Sequence, residues 1–306
     1  MRIATTYKGL EPILIKETNG KKIIPTKVQY SKNKQLKSAL FSYELIKKFK
    51  FKTEKEIYEK FQKIKFKIKI PCKIDCLRVG KHKFNSQDIR NNLHKILAKN
   101  HKINFKEPKT IIFVDILNNY CFIGINFIKY KRDYRVRASR NSLSPVIAYS
   151  LLKIANIKKT NSLLDPFCND GSILIEAGLL SIKKLCGFTQ DTKNALINSK
   201  IAKVNIDLSN NQIDWIDTLL KKNSIDFIIS KPPILSKRAN KELVEKQIRE
   251  LFYQAQYILK NKLVLITSKT ELLEKYSKQF KFSMKKELEI QVGDTLYKVF
   301  SFKKTI

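Results

Sequence analysis

Residues 162–172, Ser-Leu-Leu-Asp-Pro-Phe-Cys-Asn-Asp-Gly-Ser, constrain the fold more than any other stretch of the chain. With Ile173, Leu174, Ile175, Glu176 and Ala177 after them, they read as a buried strand, a tight polar turn and the first turns of a helix. Such a unit belongs to a parallel sheet. It aims backbone N–H groups and the positive end of a helix at the sheet's mouth, where a charged small molecule can sit. Further on, residues 226–234, Asp-Phe-Ile-Ile-Ser-Lys-Pro-Pro-Ile, form a second buried strand that stops in a double proline.

Around these two stretches, strand runs alternate with helical patterns over residues 163–167, 172–181, 185–189, 193–202, 227–230, 241–259, 263–267 and 271–276. The alternation predicts an α/β fold with a mainly parallel sheet. Residues 287–291 and 295–302 flank Gly293-Asp294 and read as a closing hairpin. Ser144-Pro145 starts a helix that leads into this region through Val146, Ala148, Leu151, Leu152 and Ile154.

The N-terminal half opens with a short strand, the turn Gly9-Leu10-Glu11 and a helix over residues 12–18, with Pro12 at a first helical position. Basic strand-like pieces and a lysine-rich amphipathic segment over residues 38–63 follow. Residues 63–70 alternate strictly, which predicts a strand with Ile64, Phe66, Ile68 and Ile70 facing a core. Lys63, Lys65, Lys67 and Lys69 then make a charged row, either solvated or phosphate-facing. After Arg78-Val79-Gly80-Lys81-His82-Lys83-Phe84-Asn85 comes a helix capped by Ser86, with Ile89, Leu93, Ile96 and Leu97 inward and Arg90, His94 and Lys95 outward. Strands over residues 110–116 and 121–128 join through Asn118-Asn119, a pair that tolerates a hairpin's positive φ.

At 306 residues and 43% hydrophobic content, the chain supports two domains with ordinary cores. Its net charge of +35 is uneven: residues 1–159 hold 38 Lys plus Arg against 11 Asp plus Glu, and residues 160–306 hold 24 against 16. A field concentrated in one half favours a polyanionic partner held by phosphate contacts. Residues 129–142 are a basic linker with two tyrosines, suited to lie along a nucleic-acid backbone. Five irregularly spaced cysteines argue for reduced thiols rather than a disulfide framework. Cys72 and Cys76 lack the second pair that a zinc site needs, so no metal is expected. Arg2, Lys8 and Lys16 interrupt the apolar positions of the N-terminus, and no apolar run reaches about 18 residues. The expected location is cytoplasmic, with no membrane contact.

The Asp-Pro-Phe-Cys loop and the Pro-Pro turn resemble the first and fourth motifs of Rossmann-like S-adenosylmethionine-dependent methyltransferases that modify exocyclic amines. The order of strand, Arg-x-Gly-x-His-x-Phe-x-Ser, helix and hairpin resembles the THUMP domain of tRNA-modifying enzymes, and Gly9-Leu10-Glu11 is similar to the small α/β module that precedes it. Over nearly the whole chain, the order resembles the THUMP-containing methyltransferases of the guanine N2 amine in tRNA. The resemblance implies an N-terminal module over residues 1–62, a THUMP-like RNA-binding domain over 63–128, the linker over 129–142 and a Rossmann-like methyltransferase domain over 143–306. It also implies S-adenosyl-L-methionine as cofactor and tRNA as partner, with room for a protein partner. RNA contacts are expected from Arg78, Lys81, Lys83, Arg90, Lys131, Arg132, Arg135 and Arg137.

By the same resemblance the cofactor is held by Asp165, Pro166, Phe167, Asn169, Gly171, Thr189, Asp191 and Asp214. Asn169 and Asp170 replace the family's glycine and serine. Asparagine keeps a left-handed turn at modest cost, whereas the charge of Asp170 either caps the helix or repels the cofactor's carboxylate. Thr189 stands where the family has the acidic residue for the ribose hydroxyls, with Asp191 the candidate substitute, and Asp214 stands where the family has an acidic residue near the adenine amine. The catalytic turn reads Lys231, Pro232, Pro233, Ile234, where the family has Asn or Asp, Pro, Pro and an aromatic residue. An ammonium has three donors and no acceptor for the target amine, unless burial makes it a neutral base. Ile234 forfeits base stacking worth about 1–3 kcal/mol. The expected function is tRNA methyl transfer at a guanine N2 amine; the alternative is a tRNA-binding protein that keeps the fold without catalysis or works with a partner.

Overall fold

The computed structural model describes residues 1–32, 34–139, 142–236 and 239–305; Arg140 and Asn141 of the expected linker lie outside the described residues. In chain order the elements are β1 (Arg2–Thr5), α1 (Glu11–Thr18), β2 (Lys21–Ile24), β3 (Lys27–Tyr30), β4 (Phe41–Lys50), α2 (Glu54–Gln62), β5 (Cys72–Val79), α3 (Ser86–Leu97), β6 (Thr110–Leu117), β7 (Tyr120–Lys129), α4 (Pro145–Ala155), β8 (Ser162–Asp165), α5 (Ser172–Gly178), β9 (Lys184–Phe188), α6 (Lys193–Ala202), β10 (Asp207–Ser209), α7 (Ile216–Leu219), β11 (Ile225–Ser230), α8 (Lys241–Ile258), β12 (Leu259–Thr267), α9 (Glu271–Gln279), β13 (Phe282–Val292) and β14 (Thr295–Lys304). Contacts divide them into two units, residues 1–5 with 18–130, and residues 6–17 with 131 onward.

The first unit is one seven-stranded sheet in the order β2-β3-β1-β4-β7-β6-β5, antiparallel throughout except for the parallel pair β5 and β6. Alternate residues of β5, β6 and β7, among them Ile74, Val114 and Ile123, form a core with Ile57 and Phe61 of α2 and Ile89, Leu93 and Leu97 of α3. Toward the β1–β4 side, Phe41, Tyr43, Phe113 and Phe122 make an aromatic cluster. Lys27 is buried within it in an ion pair with buried Asp115. The Tyr43 hydroxyl donates to Asp115 at 3.0 Å, Lys27 Nζ donates to Thr5 Oγ1 at 3.2 Å, and the ammonium stands 5.4 Å from the Phe122 ring centroid. Such satisfaction is what a charge pair this deep requires.

Three local expectations for this unit are corrected. Residues 64–69 form no strand. Ile64, Phe66 and Ile68 still pack on the core, but Ile70 is exposed and pairing starts at Cys72, after Pro71, which has no N–H to give a ladder. The cap of α3 is Asn85 rather than Ser86, because its Oδ1 reaches the N–H groups of both Gln87 and Asp88, at 2.8 and 2.9 Å. His94 is buried rather than outward: Nε2 accepts the Ile74 N–H at 2.8 Å, and the ring meets Phe105 edge-on.

The second unit carries the expected alternation. Its sheet runs β10-β9-β8-β11-β12-β14-β13; the first five strands are parallel, and β14 and β13 close it as an antiparallel hairpin. Leu164, Ile228, Leu263 and Leu265 face Val244, Ile248, Leu251 and Phe252 of α8, and the alternate residues Leu163, Ile229, Val264 and Ile266 are equally buried. Burial on both faces explains why these strands read as unbroken apolar runs. The turn before α1 belongs here: Gly9 has φ +100° and lies where a Cβ would fall 1.7 Å from the Glu289 carbonyl oxygen, so only glycine lets this segment run against β13. Among the described residues no helix is long and apolar enough to cross a membrane.

Removing Asp115 would strand Lys27 without its counter-charge. Asp115→Ala is expected to lower the unfolding free energy of the protein by about 3–5 kcal/mol in chemical denaturation, whereas Lys27→Met with Asp115→Leu recovers most of that loss.

Candidate active site

In an open parallel sheet, ligands bind beyond the carboxyl ends of the strands where the strand order reverses. Here the reversal lies between β8 and β11. The segments after β8, β9, β10 and β11 converge there on a cleft of about 1220 Å³. Pro166, Phe167, Asn169, Thr189, Asp191 and Asp214 line it, as do Lys231, Pro232, Pro233 and Ile234. The structure thus gathers ten sequence-predicted residues at one place.

The loop after β8 keeps its turn by the means expected. Asn169 adopts φ 49° and its Nδ2 donates to the Phe167 carbonyl at 2.7 Å; Gly171 follows at φ 78°. Asp170 does not face the cleft as a repelling charge. It is buried, its Oδ1 accepts the Ser172 N–H, and its Oδ2 lies 3.3 Å from Arg135 Nε. Glu176, one turn into α5, is fully buried against Arg132 Nε at 2.7 Å and the Tyr134 hydroxyl at 2.9 Å. Arg132 and Arg135 therefore brace the loop from within their own domain, Arg132 largely buried and Arg135 partly exposed. Asn198 extends the brace by bonding both backbone groups of Arg137 and the Asp170 carbonyl. Lys131 and the Arg137 side chain are exposed.

In the first unit, Lys81 and Lys83 are exposed, while Arg90 binds Gln87 and stays half-buried. Arg78 braces its own loop. Nη1 donates to the Gly80 carbonyl at 2.8 Å and to His82 Nδ1 at 3.0 Å, which leaves the proton on His82 Nε2 to donate to the Asn118 carbonyl.

Asp165 is also turned away from the cleft. Its Oδ1 accepts both the Phe167 N–H and the Ser230 hydroxyl, so it joins the loop after β8 to the residue before the Pro-Pro turn. Thr189 donates to the Asp191 carbonyl at 3.2 Å, and Asp191 Oδ1 accepts the N–H of Lys193, the first residue of α6, at 3.0 Å. Asp214 faces the cleft with Oδ2 3.5 Å from Lys246 Nζ, and its Oδ1 is buried with no hydrogen-bond partner. That orphaned acceptor fits an exocyclic amine donor such as adenine's. Burial pulls Lys231 below the ordinary lysine pKa, against the opposing charge of Asp170. Its Nζ stands 5.5 Å from the ring centroid of Tyr297 on β14. Tyr297 and the α8 residues Lys246, Gln247 and Glu250 also line the cleft and were missed by sequence reasoning, since no local pattern reports what β14 or α8 reaches across the sheet.

Burial raises the Asp165 pKa to about 7. Between its unfolded value near 3.9 and about 7, the folded chain holds a proton that the unfolded chain has lost, so this group's contribution to stability falls as pH rises through that window. Asp165→Asn keeps an Oδ1 acceptor for both bonds and removes the ionisation. Denaturation midpoints are expected to show the variant gaining on the parent between about pH 4 and about pH 7.

The THUMP domain family model matches residues 51–126, and the model for the RMKL-like methyltransferase domain matches residues 132–214. A tRNA (guanine(6)-N2)-methyltransferase of Methanocaldococcus jannaschii is 25% identical over 280 residues, covering 73% of each chain. TrmN from Thermus thermophilus superposes with a TM-score of 0.81 at 19% identity over 99% of each chain. SMU.472, solved in complex with S-adenosylhomocysteine, gives 0.79 at 16% identity over 100% of this chain and 98% of that one. The chain thus matches a THUMP domain model and an RMKL-like methyltransferase domain model in succession, shares the fold of the TrmN and SMU.472 structures, and is similar in sequence to tRNA guanine-N2 methyltransferases.

Proposed function

We propose that this chain is an S-adenosylmethionine-dependent tRNA methyltransferase whose acceptor is the N2 amine of a guanine. The observation that carries this reading is the meeting of the loop after β8 and the Pro-Pro turn on one cleft of about 1220 Å³, room for a nucleoside cofactor and a base together. Asn169, Gly171 and the orphaned Asp214 Oδ1 are the groups that would hold the cofactor. When bound, it supplies an electrophilic methyl group on sulfur. The exposed Lys81 and Lys83, and separately Lys131 and Arg137, are the proposed phosphate contacts. Arg132 and Arg135 are assigned instead to bracing the loop.

At the turn, the backbone of Pro232 and the side chain of Lys231 orient the amine. The Pro232 carbonyl accepts one of its hydrogens. Lys231 accepts the other only as a neutral amine, and its burial moves it in that direction. Asn at this position would offer an acceptor at every pH.

Calorimetric titration with S-adenosylmethionine, then methyl transfer to an unmodified tRNA transcript read as N2-methylguanosine, tests the reading. Micromolar binding and a guanine product are expected; tRNA binding without any cofactor binding would overturn it. Because the ammonium must lose its proton first, turnover is expected to rise with pH through the lowered Lys231 pKa. Lys231→Asn is expected to flatten that profile and raise neutral-pH turnover by on the order of tenfold.

A further inference from the structure

Among the described residues, three aromatic side chains line the cleft: Phe167, Phe188 and Tyr297. Phe188 is buried in the core and Phe167 packs against the same core. Tyr297 is different. It is half-buried and belongs to β14, which runs antiparallel to β12 with Lys298 opposite Thr267, the last residue of that strand. Residues 295–297 therefore extend past the carboxyl rim of the sheet, level with the turn that follows β11. The side chain reaches that turn, since the Lys231 ammonium lies 5.5 Å from its ring centroid. Ile234, the position at which the turn itself could present a ring, has none.

We propose that Tyr297 is the base-stacking residue of this cleft, with β14 supplying the aromatic surface that the Pro-Pro turn lacks. The proposal rests on the methyl-transfer reading above and identifies its base-holding group. Stacking needs a π face rather than a hydroxyl, so the phenol oxygen is dispensable and the ring is not. A purine held on Tyr297 lies within reach of Lys231 and Pro232, the groups that orient its amine. The ammonium already resting against the ring helps to fix the side chain's position.

The test compares Tyr297→Phe, Tyr297→Leu and Tyr297→Ala in the full chain, each checked for an unchanged unfolding temperature. One readout is saturation-transfer NMR of guanosine monophosphate in the presence of S-adenosylhomocysteine; the other is kcat/KM for methyl transfer to a tRNA transcript. The expected result is nucleotide signal and kcat/KM retained in the Phe variant, with both lost by roughly 5- to 100-fold in the Leu and Ala variants, the worth of one base–aromatic stack. Calorimetric affinity for S-adenosylmethionine should stay unchanged in all three. Undiminished nucleotide signal or kcat/KM in the Leu and Ala variants would overturn Tyr297's role while leaving the methyl-transfer reading intact. Absence of nucleotide signal and of methyl transfer in the parent protein would overturn both.

Discussion

The candidate site depends on the hydrogen bond between the Ser230 hydroxyl and the Asp165 carboxyl. The ladder between β8 and β11 is short, with Leu163 opposite Phe227 and Leu164 opposite Ile228, and beyond it the two chains go separate ways around the cleft. A bond placed past the end of that ladder ties the loop after β8 to the Pro-Pro turn. At the other end of the same strands, the Asp226 carboxylate accepts both the backbone N–H and the hydroxyl of Ser162, at 2.8 and 3.1 Å. Serine–aspartate pairs thus bracket the two central strands, and the pair nearer the cleft is the one deprived of water. For the proposed methyl transfer, donor and acceptor would have to be held in alignment, which a joint of this kind between the two loops favours.

Two more buried carboxylates set the shape of the loop itself. Asp170 and Glu176 are reached from the segment after β7 by Arg135 and by Arg132 with Tyr134. A buried carboxylate without such partners would be strongly destabilising. The substitution of Asp170 for a smaller residue is accommodated because the basic segment beside it supplies a guanidinium. Part of the positive charge that reads as a nucleic-acid footprint is therefore neutralised inside the domain, and the net charge of a segment overstates what it offers a partner.

The elements of the parallel sheet were legible because both faces of those strands are buried and their runs stand out from polar helices and turns. The left-handed turn at Asn169 was legible for the same local reason: its backbone preference is written in one residue. What stayed hidden depends on contacts between residues far apart in sequence. His94 looked outward on its helix until Ile74 supplied an N–H for it. Residues 63–70 alternated like a strand, and their burial alternates, but no neighbouring strand pairs with them. The sequence pointed Asp165 toward a cofactor, but its bond to Ser230, sixty-five residues on, shows only in the fold. The nearness of Tyr297 to Lys231 follows from the order of β11, β12 and β14 and from the register of β14 on β12.

The altered turn looks less like a loss once the opposite wall is considered. A Pro-Pro turn of the usual composition concentrates acceptor and aromatic surface in four consecutive residues. In this chain Pro232 keeps the backbone acceptor, and the ring stands across the cleft on β14, packed against the residue that departs most in chemistry, Lys231. A lysine in that position can be held by the ring as a cation or released from it as a neutral amine. Burial, which disfavours the charged form, and the ring with Asp170, which favour it, pull in opposite directions. Under the proposed methyl transfer, the setting of residue 231, and not its identity alone, would bear on whether the turn offers a donor or an acceptor to a base.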